Sequence, residues 1–202
     1  MPIFTGYWKS LSGHESYPES GSLLDPRDYV DESWDVDERA QIVRLLKAGT
    51  PYESWRGYSY CRFQCGERNM GTHCFTADGS WVWPEGFAHY VEKHGVRPNK
   101  DFIGHLLSLP KELVSELESR VSRINAISDK WEKPWISGEG CKNMGGSCSK
   151  HEKHEGWLNC VQGYSSNRCI LASQASQREY AAERDRHYQA IKPFLKYDWS
   201  LK

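Results

Sequence analysis

Cys61 and Cys65 stand three residues apart with Gly66 directly after, and His89 and His94 follow within one short helical pattern. Thiolate sulfur and imidazole nitrogen are the ligands a tetrahedral Zn²⁺ takes, and two of each complete a structural site. A glycine after the second cysteine permits a tight turn whose backbone amides can face the sulfurs and offset their charge. The order turn, hairpin, helix resembles a ββα zinc finger, and the spacing of the two histidines falls in the range such fingers use. The stretch between Cys65 and His89 is much longer than the roughly twelve residues of a DNA-reading finger. His73, Cys74 and His105 offer substitutes for one of the histidines. A metalloprotease helix is a poorer match, because its histidines are four apart on one face. Five positions correspond to about 500° of rotation, which carries the second ring off that line.

A second group of ligand-type residues lies at Cys141, Cys148, His151, His154, Cys160 and Cys169, interleaved with Lys142, Lys150 and Lys153. Cys148, His151, Cys160 and Cys169 form a candidate second tetrahedron, against a plain loop with incidental cysteines. A redox-sensitive loop is a third reading, since thiols beside lysines ionise more readily. Trp81 and Trp83 alternate along a strand pattern and so share a face. With Arg62 and Arg68 nearby they form a candidate surface for bases or a peptide. The competing reading is the core face of a small zinc domain. No Gly-rich phosphate loop, nucleophile elbow or paired-carboxylate arrangement is present with usable spacing, so no catalytic residue is assigned.

The elements that must position these groups are read from period and punctuation. Asp35 and Glu38 have the capping-box spacing and open a helix over 35–48, with Ala40, Ile42, Val43 and Leu46 on its apolar face. Gly49 and Pro51 end it. Short β-type runs follow from Trp55 to Trp83, with Asp78-Gly79 as a hairpin dipeptide. Pro84 and Glu85 suit a helix first turn, and Gly95 suits its stop. Leu106, Leu107 and Leu109 form an apolar segment. A helix over 110–130 follows, with the stripe Leu113, Val114, Leu117, Val121, Ile124 and Ile127. A last helix spans about 173–191, before Pro193.

The chain has 202 residues, seven cysteines, nine tryptophans and a formal charge of −1. A strong nucleic-acid binder usually carries a basic excess, and none exists here. No apolar run approaches a membrane span and the first residues lack a secretory pattern, which predicts a cytoplasmic protein with reduced or metal-bound cysteines. The expected class is α+β: a zinc-stabilised hairpin and helix buttressed by three longer helices, rich in loops. The expected division is an irregular arm over 1–34, a zinc-finger-like domain with flanking helices over 35–136, and a Cys/His-rich loop with C-terminal helix over 137–202, packed on the same body.

Three runs, LLDPRDYVDESWD, WRGYSYCRFQCGERNMG and TADGSWVWPEGFAHYVEKHGVRP, resemble a family of small uncharacterised bacterial proteins. The shared text is Cys-Arg-x-x-Cys-Gly, a Thr-Asp-Gly-type hairpin and Trp-Pro-Glu-Gly-x-x-His-Tyr-Val, and the match covers roughly residues 24–105. Ala77, inserted between Thr76 and Asp78, departs from it in the hairpin. The resemblance implies no activity. The sequence therefore leads to a non-enzymatic, zinc-binding interaction module for a macromolecular partner, protein rather than nucleic acid. A nucleic-acid-binding zinc finger and a zinc-dependent enzyme are the alternatives.

Overall fold

The computed structural model describes residues 1–9, 23–54, 60–67, 70–131, 151–154, 157–160 and 170–197. Within these residues it is an α+β arrangement of five α-helices and a four-stranded mixed sheet, with a separate two-stranded hairpin. The chain divides into two compact units, Met1–Glu118 with Ile191–Lys202, and Ser119–Ala190. The division falls inside a long helix rather than near residue 136. The apolar stripe of that helix is fully buried only as far as Leu113 and Leu117, and beyond them Val121, Ile124 and Ile127 are half-buried.

In the first unit, α1 (Val36–Ala48) starts where the capping spacing places it, with the Asp35 carboxylate accepting from the Glu38 amide at 2.8 Å. Ile42, Val43, Leu45, Leu46 and Ala48 form its buried face. The chain then continues directly into β2 (Thr50–Ser54), a strand the sequence reading missed. Gly49 leaves the helix in an extended conformation (φ −52°, ψ 148°), which starts a strand rather than a reversal. A Cβ at Gly49 would lie 2.7 Å from the Trp83 ring and 2.8 Å from Phe75 Cβ, so the sheet leaves no room for a side chain there.

β3 (His73–Thr76) and β4 (Trp81–Pro84) form the expected hairpin. Its reversal is built over 77–80 by side chains: Thr76 Oγ1 accepts from the Gly79 amide at 2.9 Å, and the Asp78 carboxylate accepts from the Ser80 amide at 2.9 Å. Such Asx-type bonds, with Gly79 at φ 84°, make a wider turn than a two-residue Asp-Gly loop. Sheet order is β1-β4-β3-β2, with β1 (Ile3–Phe4) parallel to β4 and the other pairs antiparallel. Part of the expected irregular arm is therefore a strand.

α2 (Phe87–His94) begins two residues later than the Pro84-Glu85 reading has it, and Pro84 is the last residue of β4. Glu85 is used differently: its carboxylate accepts from the amides of Thr72 at 2.9 Å and His73 at 3.3 Å, tying the start of β3 to the end of β4. Gly95 ends α2 in the left-handed region at φ 64°, and the nearest atom to an added Cβ is 3.7 Å away. Only backbone strain opposes a side chain there. Gly95→Ala should cost about 1 kcal/mol, read as a fall of a few degrees in Tm.

α3 (Lys100–Leu107), capped by Asn99 whose side chain accepts from the Phe102 amide at 2.8 Å, replaces the plain apolar segment expected around Leu106. Its Phe102 is the hub of the core. The rings of Trp81, Trp83 and Phe87 lie 5.2, 5.5 and 6.1 Å from it. The arm closes the other side of Phe87, where Gly6 sits so close that a Cβ would be 2.6 Å from the ring.

The second unit holds the outer part of α4 (Lys111–Trp131), most of α5 (Ile170–Ile191) and the hairpin of β5 (His151–His154) with β6 (Trp157–Cys160). The pairs Arg123–Glu183 at 2.8 Å and Lys130–Glu179 at 2.5 Å join α4 and α5 as antiparallel neighbours. α5 begins at Ile170, three residues before the expected start. No described helix is long and apolar enough to cross a membrane.

Candidate metal centre

The turn after β2 and the helix after the hairpin bring four ligand-type side chains to one point. Cys61, Cys65, His89 and His94 each offer one atom, all within 4.8 Å of one another. Cys61 Sγ lies 3.2 Å from His94 Nε2, Cys65 Sγ 3.3 Å from His89 Nε2, and the two Nε2 atoms 3.2 Å apart. A regular tetrahedron with Zn–S of about 2.3 Å and Zn–N of about 2.0–2.1 Å has edges of about 3.5 Å for S···N and about 3.3 Å for N···N. The donor set therefore fits a Zn²⁺-sized ion with soft and borderline ligands.

The knuckle geometry follows from the local sequence. The Gln64 amide bonds the Cys61 carbonyl at 3.1 Å, and Gln64 and Gly66 adopt φ of 54° and 91°. Backbone amides of Phe63 and Cys65 bond the Cys61 sulfur. Burial still pushes the Cys61 thiol above its ordinary range, with the neighbouring Cys65 adding to it. A divalent cation among the four atoms reverses that direction, because a coordinated thiol is held as thiolate. Burial lowers both histidines, and His89 lowers His94 further, which keeps the imidazoles in the neutral form that ligates metal.

Five residues of helix separate the two histidines by about 7.5 Å along the axis, yet their Nε2 atoms converge. His94 is the last residue of α2, and its ring stacks flat on Phe63 of the knuckle at 4.1 Å and 3°. The Tyr90 hydroxyl receives the Arg62 amide at 2.9 Å, a further tie between helix and knuckle.

The structure gives the three substitute ligands other partners. His73 Nδ1 lies 3.3 Å from Glu85, the Cys74 sulfur 2.9 Å from the Tyr7 hydroxyl, and His105 Nε2 3.2 Å from Asp78. The tryptophan surface is a correction. Trp83 is only 1 % exposed, with Nε1 donating to the Leu46 carbonyl, and Trp81 packs on Phe102. Both face inward because α3 covers that side of β4. Arg62 is engaged too, its guanidinium donating to the Lys9 and Tyr60 carbonyls, so it clamps the arm to the knuckle. Arg68, Cys148 and Cys169 lie outside the described residues. Of the second candidate quartet, the backbone pairs His151 with Cys160 in the β5–β6 register.

Asp78 was legible only as a turn residue. Burial alone raises its carboxyl, but hydrogen bonds from His105 and the Ser80 amide outweigh this and hold it below the usual carboxylate range. A lowered folded-state pKa contributes stability above the unfolded value of about 3.9, lost as pH falls through the folded value. The Tm of Asp78→Asn should therefore fall less steeply than wild type as pH drops from about 5 to 2, the window in which this carboxylate gains its proton.

Compared with known proteins, the chain matches no protein-family model, no curated protein and no solved structure.

Proposed function

We propose that this chain is a non-enzymatic zinc protein in which Zn²⁺ fixes the hairpin and α2, and that the stapled unit serves as a docking module for a protein partner. The observation that carries the reading is that all four corners of the tetrahedron come from the protein, from Cys61, Cys65, His89 and His94. A catalytic zinc keeps one position for water or substrate, and a closed Cys2His2 set supplies none. The partner surface that fits best is the edge of the sheet at β1. There Ile3 and Phe4 leave 53 % and 55 % of their surface exposed, and exposed apolar side chains on a strand edge suit pairing with another chain.

A nucleic-acid role through a finger-like helix is the weaker reading. α2 buries Phe87, Ala88, Tyr90 and Val91, and Arg39 and Lys47 of α1 hold its far end through the Val91 and Glu92 carbonyls and the Glu92 carboxylate. Little of it remains to enter a groove.

Elemental analysis of purified, reduced protein tests the reading, together with Co²⁺ substitution. One equivalent of zinc and a tetrahedral thiolate–cobalt spectrum are expected from the Cys61 site, with a second equivalent only if the 148–169 cysteines also bind. Metal-free protein that folds cooperatively, indifferent to chelator, would overturn it.

A further inference from the structure

Two of the four ligand atoms at the metal centre are neighbouring sulfurs, and the fold treats them differently. Cys61 Sγ and Cys65 Sγ lie within 4.8 Å of each other. The knuckle is closed twice, by the Gln64 amide on the Cys61 carbonyl at 3.1 Å and by the Cys61 amide on the Glu67 carbonyl at 3.4 Å. Gln64 and Gly66 take positive φ on either side of Cys65. Cys61 is only 3 % exposed, whereas Cys65 is open to solvent. An accessible sulfur beside a shielded one is the arrangement of an attacking thiolate and its resolving partner.

The third cysteine of the first unit does not compete. Cys74 is 1 % exposed, and its sulfur is paired with the Tyr7 hydroxyl at 2.9 Å. The other two ligands, His89 and His94, are imidazoles, which a mild oxidant leaves alone. A disulfide sulfur is no longer a thiolate, and thiolate is the form that ligates metal. Joining the two sulfurs therefore removes half of the tetrahedron in one event and leaves two imidazoles, too few to close a structural site.

We propose, resting on the zinc reading above, that Cys61 and Cys65 form a redox latch in which hydrogen peroxide joins the two sulfurs and expels the ion. The Cys65 thiolate attacks a peroxide oxygen: an S–O bond forms, the O–O bond breaks and hydroxide leaves. That sulfur is oxidised by two electrons to sulfenic acid, and the peroxide is reduced. The Cys61 thiolate then attacks the sulfenic sulfur, so that the S–S bond forms, the S–O bond breaks and a second hydroxide leaves. Two protons from solvent convert both hydroxides to water. Burial shields Cys61 from the oxidant until its partner has reacted, and its closeness diverts the sulfenic acid to a disulfide before further oxidation. A dithiol reductant reverses the exchange and restores both ligands.

The test treats zinc-loaded, reductant-free full-length protein with hydrogen peroxide while a metallochromic indicator follows free zinc. Tryptic peptides are then mapped by mass spectrometry. Trypsin cuts after Arg62, so a bridge from position 61 to 65 appears as two peptides joined through sulfur. Cys65→His keeps four ligands but removes the attacking sulfur. Wild type should lose about one more equivalent of zinc than this variant, in step with the bridge. Dithiothreitol with added zinc should reload it. Reduced wild type that holds no zinc would sink the zinc reading and the latch together. Zinc that is bound at Cys61 and Cys65 but stays put under peroxide would overturn the latch alone. So would loss of zinc with these cysteines bridged elsewhere or taken to sulfinic acid, or equal loss from Cys65→His. Should that variant fail to fold, the wild-type peptide map still decides.

Discussion

Cys61→Ser should take the zinc content from one equivalent to none and lower Tm by about 8–16 °C in buffers holding free zinc. The size follows from linkage. A ligand present at a thousandfold over its Kd stabilises the state it binds by about 4 kcal/mol, and each kcal/mol shifts a domain of this length by about 2–4 °C. Zinc-finger peptides, which have no core of their own, owe folding outright to the metal. Here α1, α3 and the sheet supply a core of their own around Phe102, so a smaller, finite loss is expected. Chelator should reproduce the effect in wild type and do nothing further to the variant. Cys74→Ser serves as the control, because Cys74 pairs with Tyr7 and lies outside the quartet. It should keep its zinc. A variant of Cys61 that binds metal normally, measured by elemental analysis, would remove the ion from its assigned place.

Trp83→Ala should be the most damaging single change away from the metal, costing about 3–5 kcal/mol as buried aromatic truncations do. The side chain is 1 % exposed, sits against Gly49, packs on Phe102 and donates to the Leu46 carbonyl at 3.2 Å. Its removal opens a cavity where β4, α1 and α3 meet and strips a hydrogen bond from a buried carbonyl. Trp83→Phe should recover roughly half the loss, restoring ring contact without the N–H. Urea unfolding decides it, with a lowered midpoint and an unchanged slope expected. A loss under about 1 kcal/mol would mean that this ring is not the junction of the three elements.

The candidate metal site was legible because its signal is local. Ligand type, the glycine after Cys65 and the helical stop at Gly95 all lie within a residue or two of the atoms they control. α1 was legible for the same reason, through Asp35 and Glu38. What escaped depends on distant partners. β2 carries Pro51, has no alternation and shows a bulge between Pro51 and Glu53, so only pairing with β3 makes it a strand. β1 is two residues long and exists through parallel bonds to a strand nearly eighty positions away. Glu85 reads as a helix-start acid, but the half-buried amides of Thr72 and His73 compete for it and win. Trp81 and Trp83 read more readily as core than as platform, but the sequence alone left both open. The decision lay with α3, whose capping Asn99 was available in the sequence but whose eight residues are too short for periodicity to stand out.

The first unit is discontinuous in sequence: the chain leaves it after Glu118 and returns at Ile191. During synthesis, the knuckle, hairpin, α2 and α3 can emerge from the ribosome and bring the four ligand-type side chains together while residues 119–190 are still being made. At roughly 5–20 residues per second that interval is about 4–14 s. The bond from the Lys196 amide to Asp78 forms only after it, so the hairpin turn and the Leu109–Leu113 surface wait uncovered in the nascent chain. That waiting face is where a chaperone would be expected to act.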